Sequence, residues 1–252
     1  MNIGLIGAGN MARAMARGWG MPLLCFDPVS ERAEALARET GGEALGSGAQ
    51  VAERADLVVL CHKPAQLEAV AGELAPEARA VASILAATPL ERLKTFYPDR
   101  PVYRFLPSLP AEVRGGAIVQ AADAEQDAAL DAQVRDLFAE LGTLVTLQDS
   151  LVDVAMGLMS CAPAYLALVA EAQVEAGVRH GLPPDQASVL VTETLAGTAE
   201  LLRRRGHDTL ALRREVTSPG GTTARGLAAL ERAGVRAAFS DALDAVLGGS
   251  GR

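Results

Sequence analysis

One stretch, "NIGLIGAGNMA" at residues 2–12, narrows the folds open to this chain more than any other. A short apolar run meets Gly7-x-Gly9-x-x-Ala12 and passes straight into a helical pattern. Gly7 permits a tight turn, Gly9 leaves room for backbone to approach a ligand, and Ala12 lets a helix lie close on a strand. The alternation continues through the first half. Strands are predicted at 2–7, 23–27, 56–61, 80–85, 102–106, 117–121 and 144–147, with amphipathic runs between most of them. In "SERAEALARET", Ser30 is the expected N-cap and Gly41 stands just past the helix end. Strands and helices alternating at this spacing predict an α/β fold with a doubly wound, mainly parallel sheet of the Rossmann type.

From residue 149 onward the strand-like runs stop. Long Ala, Leu, Val and Glu segments are broken at Pro163, Pro183-Pro184, Gly206 and Ser218 to Gly221, which predicts an all-helical second domain. The expected division is a dinucleotide-binding domain over 1–149 and a helical domain over 150–252. The uncharged run at 154–170 is short for a bilayer, which takes about 20 residues, and Pro163 interrupts it. A helix buried in a subunit interface is expected instead. Half of the residues are hydrophobic, and the formal net charge is −8. A large core is therefore available, while nucleic acid and anionic membrane surfaces are disfavoured as partners. Cys25, Cys61 and Cys161 lack metal-ligand spacing, so no metal is expected and the thiols read as reduced. The N-terminus has no basic region before its apolar run and turns glycine-rich, unlike a secretory signal, so the cytoplasm is the expected location.

A helix beginning near Asn10 would direct free N–H groups at a pyrophosphate, making residues Gly7, Ala8, Gly9, Asn10, Met11 and Ala12 the expected cofactor grip. Asp27 closes the second predicted strand, where a carboxylate would accept from a ribose 2′-hydroxyl and repel a 2′-phosphate. It tilts the expectation from NADPH towards NADH, although Arg32 stands within reach of a 2′-phosphate and an Asp-Pro pair also simply starts turns. "VVLCHKPAQ" would place Cys61, His62 and Lys63 at the carboxyl edge of the sheet, where ligands bind. For an isolated His-Lys pair, a solvated loop is the plainer reading.

A second candidate site is "TSPGGTT" at 217–223. Pro219 fixes one φ, the two glycines permit positive φ, and Thr222 or Thr223 is placed to cap the next helix. Successive N–H groups in such a turn form a concavity suited to a small carboxylate.

The whole chain resembles the pyrroline-5-carboxylate reductase family. The resemblance rests on "GAGNMA" at 7–12, "KP" at 63–64, "PAY" at 163–165, "EAGVRHGLP" at 175–183 and, above all, "VTSPGGTTARGLAALERAGVRAA" at 216–238. It implies reduction of the cyclic imine L-1-pyrroline-5-carboxylate to L-proline by NADPH or NADH, the last step of proline biosynthesis. Cys61, His62, Lys63, Pro64 and Ala86 would join the glycine turn around the cofactor. Ser218, Gly220, Gly221, Thr222 and Thr223 would hold the substrate carboxylate. Thr223 would sit beside the ring nitrogen as the catalytic residue, with Asp149 standing for a Glu near the substrate. The resemblance also implies an intertwined homodimer, open to assembly into a decamer, with each pocket completed by the partner's "SPGGTT" turn.

Several positions depart from the family pattern. Ser108 and Leu109 replace an Asn and a Thr, Ser160 and Ala162 stand at glycine positions, and Ala87 replaces a turn glycine. These changes keep open a reductase for another cyclic imine and a cofactor-binding regulatory protein without turnover. The related β-hydroxyacid dehydrogenases use a lysine on the first helix of the helical domain, whereas this chain has no lysine beyond Lys94.

Overall fold

The computed structural model describes residues 1–123 and 128–248. Two compact units divide the chain after Pro163. In the first, β1 (Ile3–Ile6), α1 (Asn10–Trp19), β2 (Leu24–Phe26), α2 (Ser30–Thr40), β3 (Glu43–Ala44), α3 (Gly48–Arg54) and β4 (Leu57–Leu60) follow one another. Then come α4 (Leu67–Leu74), β5 (Val81–Ser83), α5 (Leu90–Phe96), β6 (Val102–Pro107), β7 (Gly116–Ala121), α6 (Ala128–Ala139), β8 (Gly142–Leu147) and α7 (Asp149–Met159). The sheet order is β3-β2-β1-β4-β5-β6-β7-β8, parallel throughout except where β7 runs against β6. This is the doubly wound sheet that the alternating pattern predicts.

Helices on both faces bury every residue of β1, β4 and β6, which is why β1 and β4 read as continuous apolar runs rather than alternating ones. One face packs Leu5, Met15, Trp19 and Phe105 around Phe138; the other packs Ile6, Val58, Leu74 and Leu93. Gly41 ends α2 in the left-handed conformation at φ 69°, as expected. Ser30, however, is the first residue inside α2 and not its cap. That place belongs to Val29, whose N–H is held by Asp27 Oδ1 at 2.9 Å. The two-residue β3 escapes sequence reading because it is shorter than any periodicity; backbone bonds from Glu43 and Leu45 to Leu23 and Cys25 define it.

The compact unit runs past the expected boundary at 149. Val152 and Met159 of α7 pack with Leu106 and Val119 of the sheet, and Arg104 of β6, 1% exposed, donates to Asp149 at 2.8 Å and Asp153 at 2.7 Å. These contacts bind α7 to the sheet.

The second unit contains α8 (Ala162–Arg179), α9 (Pro184–Arg204), α10 (Thr209–Glu215), α11 (Thr222–Arg232) and α12 (Val235–Gly248). Little of it is buried within one chain: α8, α11 and α12 bury no residue, and Leu168 and Leu190 are 64% and 57% exposed. Of the run 154–170, the single chain buries Gly157 and Met159 in α7 but no residue of α8. By length and composition the segment Asp149–Arg179 is apolar enough to cross a membrane. Its helix is broken at Ser160 and Cys161, and α8 carries Glu171 and Glu175, both costly in hydrocarbon.

Ala87, a non-glycine residue in the left-handed region, adopts φ +50°. A Cβ in this region costs about 1–2 kcal/mol, of which the greater freedom of unfolded glycine offsets about 0.5–1. Ala87→Gly is therefore expected to stabilise the protein by about 0.5–1 kcal/mol in denaturant titration.

Candidate active site

Strand order reverses between β1 and β4, and beyond their carboxyl ends a crevice of about 310 Å³ opens. Gly7, Gly9, Asp27, Cys61, His62 and Lys63 all line it, as the sequence predicts. A larger hollow of about 440 Å³ near Asn2, Gly42 and Arg54 lies at the amino ends of the strands, away from the glycine turn.

The glycines act for different reasons. Gly7 has φ +105°, and a Cβ there would lie 2.9 Å from the backbone carbonyl of Cys61. Substitution is blocked by both conformation and space. At Gly9 a Cβ would meet nothing within 4 Å, so the open space over the turn is available to a ligand. Helix α1 has no side-chain cap, leaving its first N–H groups for an anion. A dinucleotide pyrophosphate fits these features. Ala8 differs from expectation, because its N–H is already donated to Asp27 Oδ2 at 2.8 Å.

Asp27 is thus a tie as well as a candidate ligand. Only 8% exposed, it accepts from Ala8 on one oxygen and Val29 on the other, joining the glycine turn to the turn before α2. Each oxygen keeps a second lone pair for a ribose hydroxyl. Arg32, Val29, Gln66 and Val70 also line the crevice. Gln66 and Val70 were missed by sequence reading; their signal is the i, i+4 spacing after "KP" that faces both to one side.

His62 Nδ1 lies 2.9 Å from Lys63 O. A carbonyl only accepts, which assigns the proton to Nδ1. Burial holds the His62 pKa below its ordinary value, which favours the neutral ring. Burial likewise pushes the Cys61 thiol up and keeps it protonated. Lys63 and Gln66 bond reciprocally, Lys63 N to Gln66 Oε1 at 3.1 Å and Gln66 N to Lys63 O at 2.9 Å, fixing the turn that begins at Pro64. Asn10, Met11, Ala12 and Pro64 flank the crevice in sequence without lining it, and Ala86 lies in the loop between β5 and α5.

Asp149 has structural partners as well: its Oδ1 receives Arg104 and its Oδ2 receives Leu90 N at 3.1 Å, so its carboxylate neutralises a buried guanidinium. Ser108 is buried with its hydroxyl accepting from Ala117 N at 2.9 Å, and Ser160 Oγ donates to Pro107 O at 3.0 Å. Both hydroxyls bond backbone groups. Leu109 is 46% exposed.

In the second unit, the turn at Ser218 to Gly221 is closed by Gly221 N donating to Ser218 O at 3.0 Å. Gly220 takes φ +70°, whereas Gly221 is glycine for space: a Cβ there would lie 2.3 Å from Ser218 Oγ. Gly221 itself is the N-cap of α11, so Thr222 and Thr223 are its first helical residues and neither hydroxyl caps it. The cap expected from the threonines is thereby corrected. Because Gly221 N–H is spent in the turn, the donors open to an anion are those of Thr222, Thr223 and the following residue.

A glycine turn at the switch point of a doubly wound sheet, followed by a helical unit, is the build of an NAD(P)-dependent oxidoreductase. The family described as "Pyrroline-5-carboxylate reductase dimerisation" matches residues 149–250, and that described as "NADP oxidoreductase coenzyme F420-dependent" matches 2–87. The pyrroline-5-carboxylate reductase of Synechocystis sp. is 32% identical over 97% of this chain and 95% of its own. The Streptococcus pyogenes 1-pyrroline-5-carboxylate reductase structure superposes with TM-score 0.90 at 31% identity, covering 99% of this chain and 98% of that one. The Plasmodium falciparum pyrroline carboxylate reductase structure, with NADP bound, has TM-score 0.89 at 23% identity and covers 99% and 97%. The chain belongs to the pyrroline-5-carboxylate reductase family.

Proposed function

We propose that this protein reduces L-1-pyrroline-5-carboxylate to L-proline, and that the observation carrying this reading is the pair of sites described above. One is an open glycine turn for a dinucleotide; the other is a pinned "SPGGTT" turn with free N–H groups for a carboxylate. The bound NAD(P)H supplies the hydride that reaches C5 of the ring. Gly9 and the start of α1 hold the pyrophosphate, and Asp27 positions the ribose. Thr222 and Thr223 N–H groups receive the substrate carboxylate, while the Thr223 hydroxyl hydrogen-bonds the ring nitrogen. A protonated imine is already electrophilic, so placement does most of the work and no strong base is needed. Neutral His62 agrees with that sparse equipment. The missing lysine on α8 argues against hydroxy-acid chemistry.

The same reading makes the protein a soluble cytoplasmic homodimer, open to assembly into a decamer. The exposed apolar side chains of α8 and α9 support a second copy as their cover. Turnover is the test. Pyrroline-5-carboxylate should oxidise the reduced cofactor with proline formed, whereas cofactor binding without turnover on any cyclic imine would mark a regulatory protein instead.

Asp27 favours NADH in this reading. Asp27→Asn removes the charge but keeps one acceptor for the Ala8 or Val29 N–H; alanine would strand both. The NADPH to NADH ratio of kcat/KM should rise by about tenfold, with the KM for the imine nearly unchanged. An unaltered ratio would place cofactor choice elsewhere.

A further inference from the structure

Residues 217–224 carry no charged side chain, yet a cation reaches back onto the turn they form. Arg225, one helical turn into α11 and exposed, donates from Nη1 to Gly220 O at 2.9 Å. Gly220 is the residue at φ +70°, and its carbonyl carbon is bonded to the Gly221 nitrogen whose proton closes the turn on Ser218 O. The turn is held from two sides. Ser218 takes the N–H of the Gly220–Gly221 peptide, and Arg225 takes its carbonyl oxygen. That peptide immediately precedes the free N–H groups of Thr222 and Thr223, and its orientation sets the curvature of the concavity they form.

We propose that Arg225 is a positioning residue for the substrate carboxylate: it fixes the Gly220–Gly221 peptide and adds a permanent positive charge to a clamp otherwise built of neutral groups. This rests on the reading of the turn as a carboxylate clamp. Backbone N–H groups recognise a carboxylate by direct hydrogen bonds, which salt affects little. A guanidinium at an exposed site acts through Coulomb attraction, which is screened within about 8 Å at physiological ionic strength. Arg225 therefore makes imino-acid binding sensitive to salt, and makes the clamp select rings that carry an anion. The role belongs to binding rather than to the hydride step, since Arg225 bonds the Gly220 carbonyl of the turn and not the Thr223 hydroxyl.

The test is steady-state kinetics of the full-length parent, Arg225→Ala and Arg225→Lys with pyrroline-5-carboxylate, from about 20 mM to about 0.5 M salt. In the parent, KM should rise with salt. Arg225→Ala should raise the low-salt KM by about tenfold, keep kcat within about twofold, and lose most of the salt dependence. Arg225→Lys should keep the salt dependence, as it keeps the charge, while recovering part of the KM. An Arg225→Ala protein with the parent's KM and salt slope overturns this inference alone. A loss confined to kcat also overturns it. A parent that does not turn over the imine overturns the functional reading, and this inference with it.

Discussion

Thr223→Ala lowers kcat on pyrroline-5-carboxylate by about tenfold to a thousandfold, the range for losing one hydrogen bond to a reacting centre. The protein should fold as before. Thr223 is the second residue of α11, is exposed, and contributes no cap. Alanine is the better helix former by a few tenths of a kcal/mol, about 0.5 at most, so α11 loses nothing by the change. The proposed carboxylate clamp uses backbone N–H groups that the substitution leaves in place, so the effect is expected at the step at the ring nitrogen, with KM near the parent's. Thr223→Ser, which keeps the hydroxyl, should recover most of the rate. Unchanged kinetics in Thr223→Ala would remove the hydroxyl from the mechanism.

Arg104→Met is expected to cost about 3 kcal/mol of stability, the low end for breaking a buried ion pair because the carboxylates are partly solvated. The guanidinium is 1% exposed, and the side chains of Asp149 and Asp153 are 26% and 29% exposed. Removing the cation leaves two carboxylates side by side on one face of α7, and Asp149 also holds the N-terminus of α5 through Leu90 N. Three elements loosen together: β6, α7 and α5. For a unit of this size the apparent Tm should fall by about 6–12 °C. Asp153→Asn should cost less, because the Arg104–Asp149 pair remains. A Tm for Arg104→Met within a degree or two of the parent would show that methionine packs there as well as the ion pair does.

The sheet was legible because its central strands are apolar on both faces and end on glycine or charged turns. The glycine turn was legible because each glycine answers a local steric need that sequence spacing preserves. What escaped were bonds set by tertiary proximity. Asp27 is bound to Ala8, 19 positions away, and nothing in either neighbourhood announces that the carboxylate is shared between a ligand site and a structural tie. Asp149 is a second case: its bond from Arg104, 45 positions distant, has no local signal in the sequence. The threonines of "SPGGTT" looked like caps by type, but the turn's own closure moves the cap to Gly221 and leaves both hydroxyls for other work. Helix α7 has the composition of the helical half, while its buried face belongs to the sheet.

The central claim is that hydride passes to C5 of a cyclic imino acid held by this chain. The most direct measurement supplies NADH or NADPH deuterated at the transferable C4 position and examines the product by mass spectrometry and NMR. The account predicts L-proline carrying one deuterium, at C5. Formation of no proline with either cofactor, or of proline without the label, would contradict it.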